Sequence, residues 1–241
     1  FLREMNAQLD PQKVARFDTW IKSIADARSR WSDLKENQPD FGPNPNELVG
    51  RIAGLSPPDC VFLSDVGQHQ MWVAQSLPIR GESRFLTSGG LGAMGFGLPA
   101  AVGAVLESPD QPACLFVGDG GMQVNIQELE TLKMLGSNVL IVVLNNLSQG
   151  MVRQFQDSYY GGRHYSTVLG YSSPNFESIA YAYGLKATTI ASVEEIEGAL
   201  VEISAFSGPA LLQVMLSPNL NAFPKLEHGA NLDSMSPPID E

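Results

Sequence analysis

Only two cysteines occur in the 241 residues, and no basic run offsets the acidic balance. Cys60 and Cys114 each open an apolar run and form no close pair. A disulfide framework is excluded by that count, and the thiols read as buried and reduced. Fifteen Lys and Arg against twenty-six Asp and Glu give a formal net charge of −11. Such a surface is unsuited to nucleic acid or to an anionic membrane. No apolar stretch is long enough to span a bilayer, and the start carries no secretory core. A cytoplasmic protein is expected. What is present is globular: 44% hydrophobic residues in 26.0 kDa can build a sizeable core, as one domain or one domain plus an appendage.

The stretch from Ala113 to Gln154 organises the rest. One apolar run closes on Gly118-Asp119-Gly120 and a second on Asn145-Asn146. Runs of strand length bounded by turn residues suit strands buried on both faces of a parallel sheet. Between them, Met122, Ile126, Leu129, Leu132 and Leu135 fall three or four apart, which predicts a helix. Asn125 is expected to cap it, with Glu128 reaching back and Gly136 ending it.

Elsewhere the same alternation repeats. Asn46 is expected to cap a helix carrying Leu48, Val49, Ile52 and Ala53, followed by a strand from Cys60 to Ser64. Phe85 to Thr87 forms a short strand before a glycine-rich loop, and Pro99 fits the first turn of the next helix. Pro174 opens a helix bearing Phe176 and Ile179, and Leu185 to Ala191 is a strand. Ser192 and Glu195 form a capping box for a helix from Val193 to Phe206, and Ala210 to Leu216 is the last buried strand. The fold class predicted is α/β: a doubly wound, mostly parallel six-stranded sheet with helices on both faces.

A right-handed crossover places Asp119 and Asn146 on one edge of that sheet, where open α/β sheets bind ligands. One carboxylate with amide and carbonyl oxygens suits Mg²⁺, which commonly takes its remaining ligands from phosphate and water. Gly120 and Gly121 allow close backbone approach, and the adjoining turn can present N–H groups to a phosphate. A second motif misleads. Gly90 to Gly95 matches G-x-G-x-x-G with Asp110 twenty residues past Gly90. The preceding strand is short, however, and Asp110 lies in a proline-rich turn before the next strand, so nicotinamide binding is set aside.

GDG, 24 intervening residues and NN resembles the signature of thiamine-diphosphate enzymes, and the surrounding text resembles their acetolactate (acetohydroxyacid) synthase branch. DVGQHQMWVAQ at 65–75, TSGGLGAMGFGLPAAVGA at 87–104, QGMVRQ at 149–154 and the ending GANLDSM carry the likeness over nearly the whole chain. The resemblance implies the C-terminal diphosphate-binding domain. It reads residues 1–45 as the tail of a middle domain with a linking helix (Val14 to Trp31) and a linker, 46–216 as the cofactor domain, and 217–241 as a C-terminal arm. The chain opens without Met inside an apparent helix, so a fragment is expected.

The same resemblance assigns roles. Mg²⁺ is held by Asp119, the side chain of Asn146 and the backbone of Ser148, where relatives often carry an acid. Val66, Gly67, Gln68, His69, Gly118, Gly120, Gly121, Gln149, Gly150, Met151 and Val152 surround thiamine diphosphate. The Gly92 carbonyl receives the aminopyrimidine, and Met94 bends the cofactor. Met151 and Phe155 face substrate. Phe155 stands where the amino-acid-biosynthetic synthases carry Trp, which puts a 2-oxobutyrate preference in doubt. The aromatic segment 158–171 either closes over substrate or packs on a neighbour.

The implied reaction decarboxylates a 2-oxo acid, pyruvate first among them, and ligates the product to a second carbonyl. No catalytic side chain is expected in this chain: the Glu that activates the aminopyrimidine belongs to a pyrimidine-binding domain upstream or on another chain, so these 241 residues alone are expected to bind Mg²⁺ and diphosphate poorly and not to turn over. A homodimer or tetramer is implied, and FAD is left open. The alternatives are another thiamine-diphosphate lyase or decarboxylase, or a non-catalytic subunit.

Overall fold

The structure, a computed structural model, describes residues 17–30, 32–34, 39–204, 208–226, 229–231 and 235–236. Its centre is a six-stranded sheet of order β2-β1-β3-β4-β6-β5, with β1 Val61–Ser64, β2 Arg84–Thr87, β3 Ala113–Gly118, β4 Val139–Asn145, β5 Lys186–Ile190 and β6 Ala210–Met215. Every pairing is parallel. β1, β3, β4 and β6 are apolar runs buried along nearly their whole length, as a sheet covered on both faces requires.

The coverings form two cores. On one face α2 (Pro45–Leu55), α3 (Gln68–Ser76) and α9 (Ile196–Ser204) pack Leu48, Ile52, Trp72, Val73 and Ile196 over Phe62, Phe116, Val142 and Leu212. On the other, α4 (Gly97–Glu107), α6 (Glu128–Leu135) and α8 (Phe176–Ala182) pack Leu98, Leu129, Leu132 and Phe176 over Leu63, Leu115, Ile141 and Leu211. Alternate strand residues serve alternate faces, so the sheet is doubly wound as the sequence predicts. α1 (Asp18–Arg30) buries none of its residues. It falls within the linking helix expected over 14–31, whose residues 14–16 and 31 lie outside the described set.

Four local expectations are corrected. Asn44, not Asn46, caps α2, accepting from the backbone N–H groups of Asn46 and Glu47. Pro45 occupies the first turn, and the buried Asn46 instead bonds Gln75 and Ser76. The helix expected between β3 and β4 is broken into α5 (Asp119–Val124) and α6, because Asn125 turns away to donate to the Gly95 carbonyl at 2.8 Å. Gly136 does end α6, in the left-handed region at φ 63°. Asn175, not Pro174, starts α8 by accepting the Ser178 N–H. Glu195 accepts the N–H groups of Ala191 and Ser192 as half a capping box, but helical turns begin only at Ile196; residues 205–207 at the far end lie outside the described set.

Beyond β6 the chain does not trail away. Residues 217–223 cross α3 and α7 (Gly150–Tyr159), with Leu220 and Ala222 buried, before the two-residue strands β7 (Lys225–Leu226) and β8 (Met235–Ser236) pair antiparallel.

Candidate functional site

The strand order reverses direction between β1 and β3, the position at which doubly wound sheets open a crevice at their carboxyl ends. A cavity of about 230 Å³ lies there. Its wall includes Val66, Gly67, Gln68 and His69 from the turn after β1, and Gly92 and Met94 from the glycine-rich loop after β2. Gly118 to Gly121 follow β3, and Asn146 and Ser148 to Val152 follow β4. Every residue assigned to cofactor or metal from the sequence is on this one wall. Trp72 and Leu144 line it too and were not singled out. Phe155 is not on it: one turn past Met151, it is exposed and packs against Tyr159 with ring centroids 4.7 Å apart. Asp110 of the misleading glycine motif is exposed past the end of α4, in the turn leading into the start of β3, at the opposite edge of the sheet.

Asp119 is the first residue of α5, and its neighbours β3 and β4 run in register with Gly118 opposite Leu144. The residue is only 3% exposed, and its carboxylate accepts a hydrogen bond from the Tyr171 hydroxyl at 2.9 Å. Burial raises its pKa to about 6, with Tyr171 and nearby backbone N–H groups opposing that rise. Burial and the Asp119 charge push the Tyr171 phenol up in turn. Asn146 spends its amide nitrogen on Gln68 Oε1 at 3.1 Å, which leaves the carboxamide oxygen as its available ligand atom. Between Asn145 and Ser148 the backbone bends through Leu147, at φ 54°, a left-handed conformation rare for leucine; its N–H is held by the Asn145 side chain. Such strain persists only where surroundings enforce it and concentrates at functional sites.

Asp65 is a residue the sequence reading passed over. It is fully buried, and its two carboxylate oxygens accept the N–H groups of Val66, Gly95 and Gly97 at 2.6, 3.0 and 2.7 Å. It therefore fastens the glycine-rich loop against β1. The signal was its place at the end of a buried strand, the position that Asp119 holds on β3.

The walls fit a phosphate-bearing cofactor with its ion. Ser148 Oγ and His69 Nε2 are buried without a hydrogen-bond partner, an arrangement that costs free energy unless a ligand supplies one. Burial holds the His69 imidazole well below its ordinary pKa, so it is neutral. A Cβ on Gly120 would strike the Gln149 side chain, and one on Gly121 would lie 2.7 Å from Asp65 Oδ1, so the turn is bare backbone by steric need. Among the described residues no cluster of three His, Cys, Asp or Glu side chains could hold a metal alone. A divalent ion at Asp119 would have to share oxygens with a bound phosphate, which is the habit of Mg²⁺.

Fold and cavity together define an α/β domain built to bind an anionic, phosphate-containing cofactor at the carboxyl edge of its sheet. The family model for the C-terminal thiamine pyrophosphate-binding domain of thiamine pyrophosphate enzymes matches residues 65–214, and the chain belongs to that family. The acetolactate synthase large subunit of Lactococcus lactis is 37% identical over 219 residues, covering 91% of this chain and 38% of the relative. The isozyme 2 large subunit of Escherichia coli is 39% identical over 188 residues, covering 78% and 34%. A thiamine diphosphate-dependent 4-hydroxybenzoylformate decarboxylase from Rhodococcus jostii superposes with a TM-score of 0.66 at 26% identity, covering 75% of this chain and 34% of that one. The chain thus spans about a third of the length of the curated relatives it matches. It is a thiamine-diphosphate-binding domain homologous to the C-terminal part of acetolactate synthase large subunits. No described helix is long and apolar enough to cross a membrane.

Proposed function

We propose that this chain holds the diphosphate end of thiamine diphosphate through Mg²⁺, and that the polypeptide to which it belongs is a cytoplasmic acetolactate-synthase-type carboligase. The observation that carries the reading is the convergence of Asp119 and Asn146, from the ends of adjacent parallel strands, on one cavity with unpartnered buried polar atoms and a glycine cradle. Asp119 contributes the single negative charge of the ion site, Asn146 its carboxamide oxygen and Ser148 its backbone carbonyl. The backbone N–H groups around Gln68, Gly120 and Gly150 are set to meet phosphate oxygens, with the His69 ring beside them. The Gly92 carbonyl takes the aminopyrimidine, while Met94 supports the cofactor's bent shape.

The cofactor, when bound, supplies the electron sink that lets a 2-oxo acid lose CO₂. The chain's part is to position it, shield the reacting carbon with apolar surface and present Met151, with Phe155 beyond it, to the substrate. Among the described residues Asp119 is the one acid on the cavity wall and it serves the ion, so the acid that activates the aminopyrimidine is assigned to a pyrimidine-binding domain, upstream or in a second copy, within a dimer or tetramer. Pyruvate is the proposed donor.

Calorimetric titration with thiamine diphosphate tests the binding half of the proposal. With the chain joined to its upstream polypeptide, heat of binding is expected with Mg²⁺ and not with EDTA, whereas the 241 residues alone are expected to bind poorly; magnesium-independent binding of equal strength would overturn the ion assignment. Joining the chain to its upstream polypeptide tests the catalytic half: CO₂ and acetolactate from pyruvate are expected, and CO₂ release without acetolactate would point to a simple decarboxylase instead.

A further inference from the structure

One side of the site rests on a chain of buried side-chain amides rather than on packing. Gln154, on α7, makes a two-point contact with the backbone of Ala222: its Nε2 donates to the Ala222 carbonyl at 3.0 Å and its Oε1 accepts the Ala222 N–H at 2.9 Å. That same Oε1 accepts Nε2 of Gln68 at 3.0 Å, and Gln68 Nε2 also reaches the Leu220 carbonyl at 3.0 Å. Oε1 of Gln68 then accepts Nδ2 of Asn146 at 3.1 Å. Gln68, Asn146 and Gln154 are each no more than 5% exposed.

We propose that Gln154 is a positioning residue for the ion site, fixing through Gln68 which end of the Asn146 carboxamide faces the cavity, with the 220–222 segment as its anchor. The inference rests on Asn146 being an ion ligand. A primary amide has a donor end and an acceptor end of nearly equal shape, and only the acceptor end can bind a cation. The backbone of Ala222 offers one donor and one acceptor in fixed order, so the Gln154 amide can sit only one way round. Gln154 Oε1 then demands the donor of Gln68, and Gln68 Oε1 demands the donor of Asn146. The polarity set by a backbone peptide is passed through two side chains to a third. Gly150 makes room for the last link, because a Cβ there would collide with Gln68 Oε1 and lie 2.7 Å from Asn146 Nδ2. Outer-shell groups that orient metal ligands typically contribute about 10- to 100-fold in metal affinity.

The test compares Gln154→Met, which keeps shape but breaks the relay, with Gln75→Met. Gln75 also ties α3 to the same segment, through the Phe223 carbonyl at 2.7 Å, but does not touch Asn146. Mn²⁺ affinity in the presence of thiamine diphosphate is read by electron paramagnetic resonance on the chain, wild type or variant, joined to its upstream polypeptide. Hydrogen exchange of the Asn146 side-chain amide is read by NMR in the ion-free chain. Q154M is expected to weaken Mn²⁺ about tenfold and to speed Asn146 amide exchange at least as much, with Q75M within twofold of wild type on both. Gln154→Glu, as the protonated acid, keeps both acceptor contacts and the donation to the Ala222 carbonyl, and serves if Q154M does not fold; its Asn146 exchange is expected to stay near wild type. Equal effects from Q75M and Q154M, no effect from Q154M, or loss of exchange protection in Q154E would overturn the relay. A joined wild-type polypeptide that binds no Mn²⁺ with the cofactor would instead defeat the ion-site reading, while the exchange data still judge the relay.

Discussion

The two ends of the same strands have opposite chemistry. At the carboxyl ends of β1, β3 and β4 the chain buries Asp65, His69, Asp119, Asn146 and Ser148 around a cavity of about 230 Å³. At the amino ends of β1, β3, β4 and β6 lies a far larger hollow of about 960 Å³, walled by Leu55, Cys60, Cys114, Leu140 and Leu200 among others. None of the unpartnered buried polar side-chain atoms found among the described residues belongs to a residue lining the larger cavity; Ser148 and His69 line the smaller, and Arg153 lines neither. The thiols of the larger cavity are unreactive in kind, since burial drives Cys60 up to about 12 and Cys114 well above the ordinary thiol range. Volume is thus a poor guide to function here, and unsatisfied chemistry is a good one.

The sharpest way to break that contrast is Asp119→Asn. Mg²⁺-dependent binding of thiamine diphosphate is expected to fall by about 100-fold or more, read by calorimetry, whereas Cys114→Ala should leave it within twofold while lowering stability by about 1 kcal/mol. Next comes Gly150→Ala, whose Cβ would press on Gln68 and Asn146. It should cost about 2 kcal/mol in urea unfolding and weaken the ion as well.

Acid titration separates two groups of the polar end. Asp119 has a folded pKa of about 6 against an ordinary 3.8, so its contribution to stability is greatest below about pH 4 and is lost as pH rises towards 6. His69 has a lowered folded pKa, so its contribution is present above about pH 6.5 and is lost as pH falls. The two slopes oppose each other in the wild type. In the ion-free chain, D119N should therefore lose stability more steeply on acidification, and His69→Gln should gain it. Smallest of all, Gly103→Ala in α4, where an added Cβ meets nothing within 4 Å, should stabilise by about 0.5–1 kcal/mol with no effect on binding. Denaturant melts with and without cofactor would check it.

What the sequence made legible follows from range. The four central strands could be read because buried parallel strands are near-continuous apolar runs, while the half-exposed edge strands β2 and β5 were found beside the glycine-rich loop and Gly184; the pairing of Asp119 with Asn146 follows from their position at the ends of two central runs. The caps were misplaced where another polar residue competed: Asn44 against Asn46, and Asn175 against Pro174. Asn125 was misread because its partner, the Gly95 carbonyl, is thirty residues away. Tyr171 and Gln154 had no local signature at all, since their contacts with Asp119 and Ala222 exist only after the loop beyond α7 and the segment beyond β6 have folded back.

Asp65 carries an implication for how this loop could be re-engineered. The glycine-rich segment is clasped at Gly95 and Gly97 by a carboxylate about thirty positions earlier in the chain, and Leu91 at its tip is 94% exposed. Leu91 can consequently be exchanged while the course is kept, whereas Gly95, at φ 84° with Val124 against the place of a Cβ, cannot, and the segment transplanted into a foreign scaffold without that distant clasp would arrive shapeless.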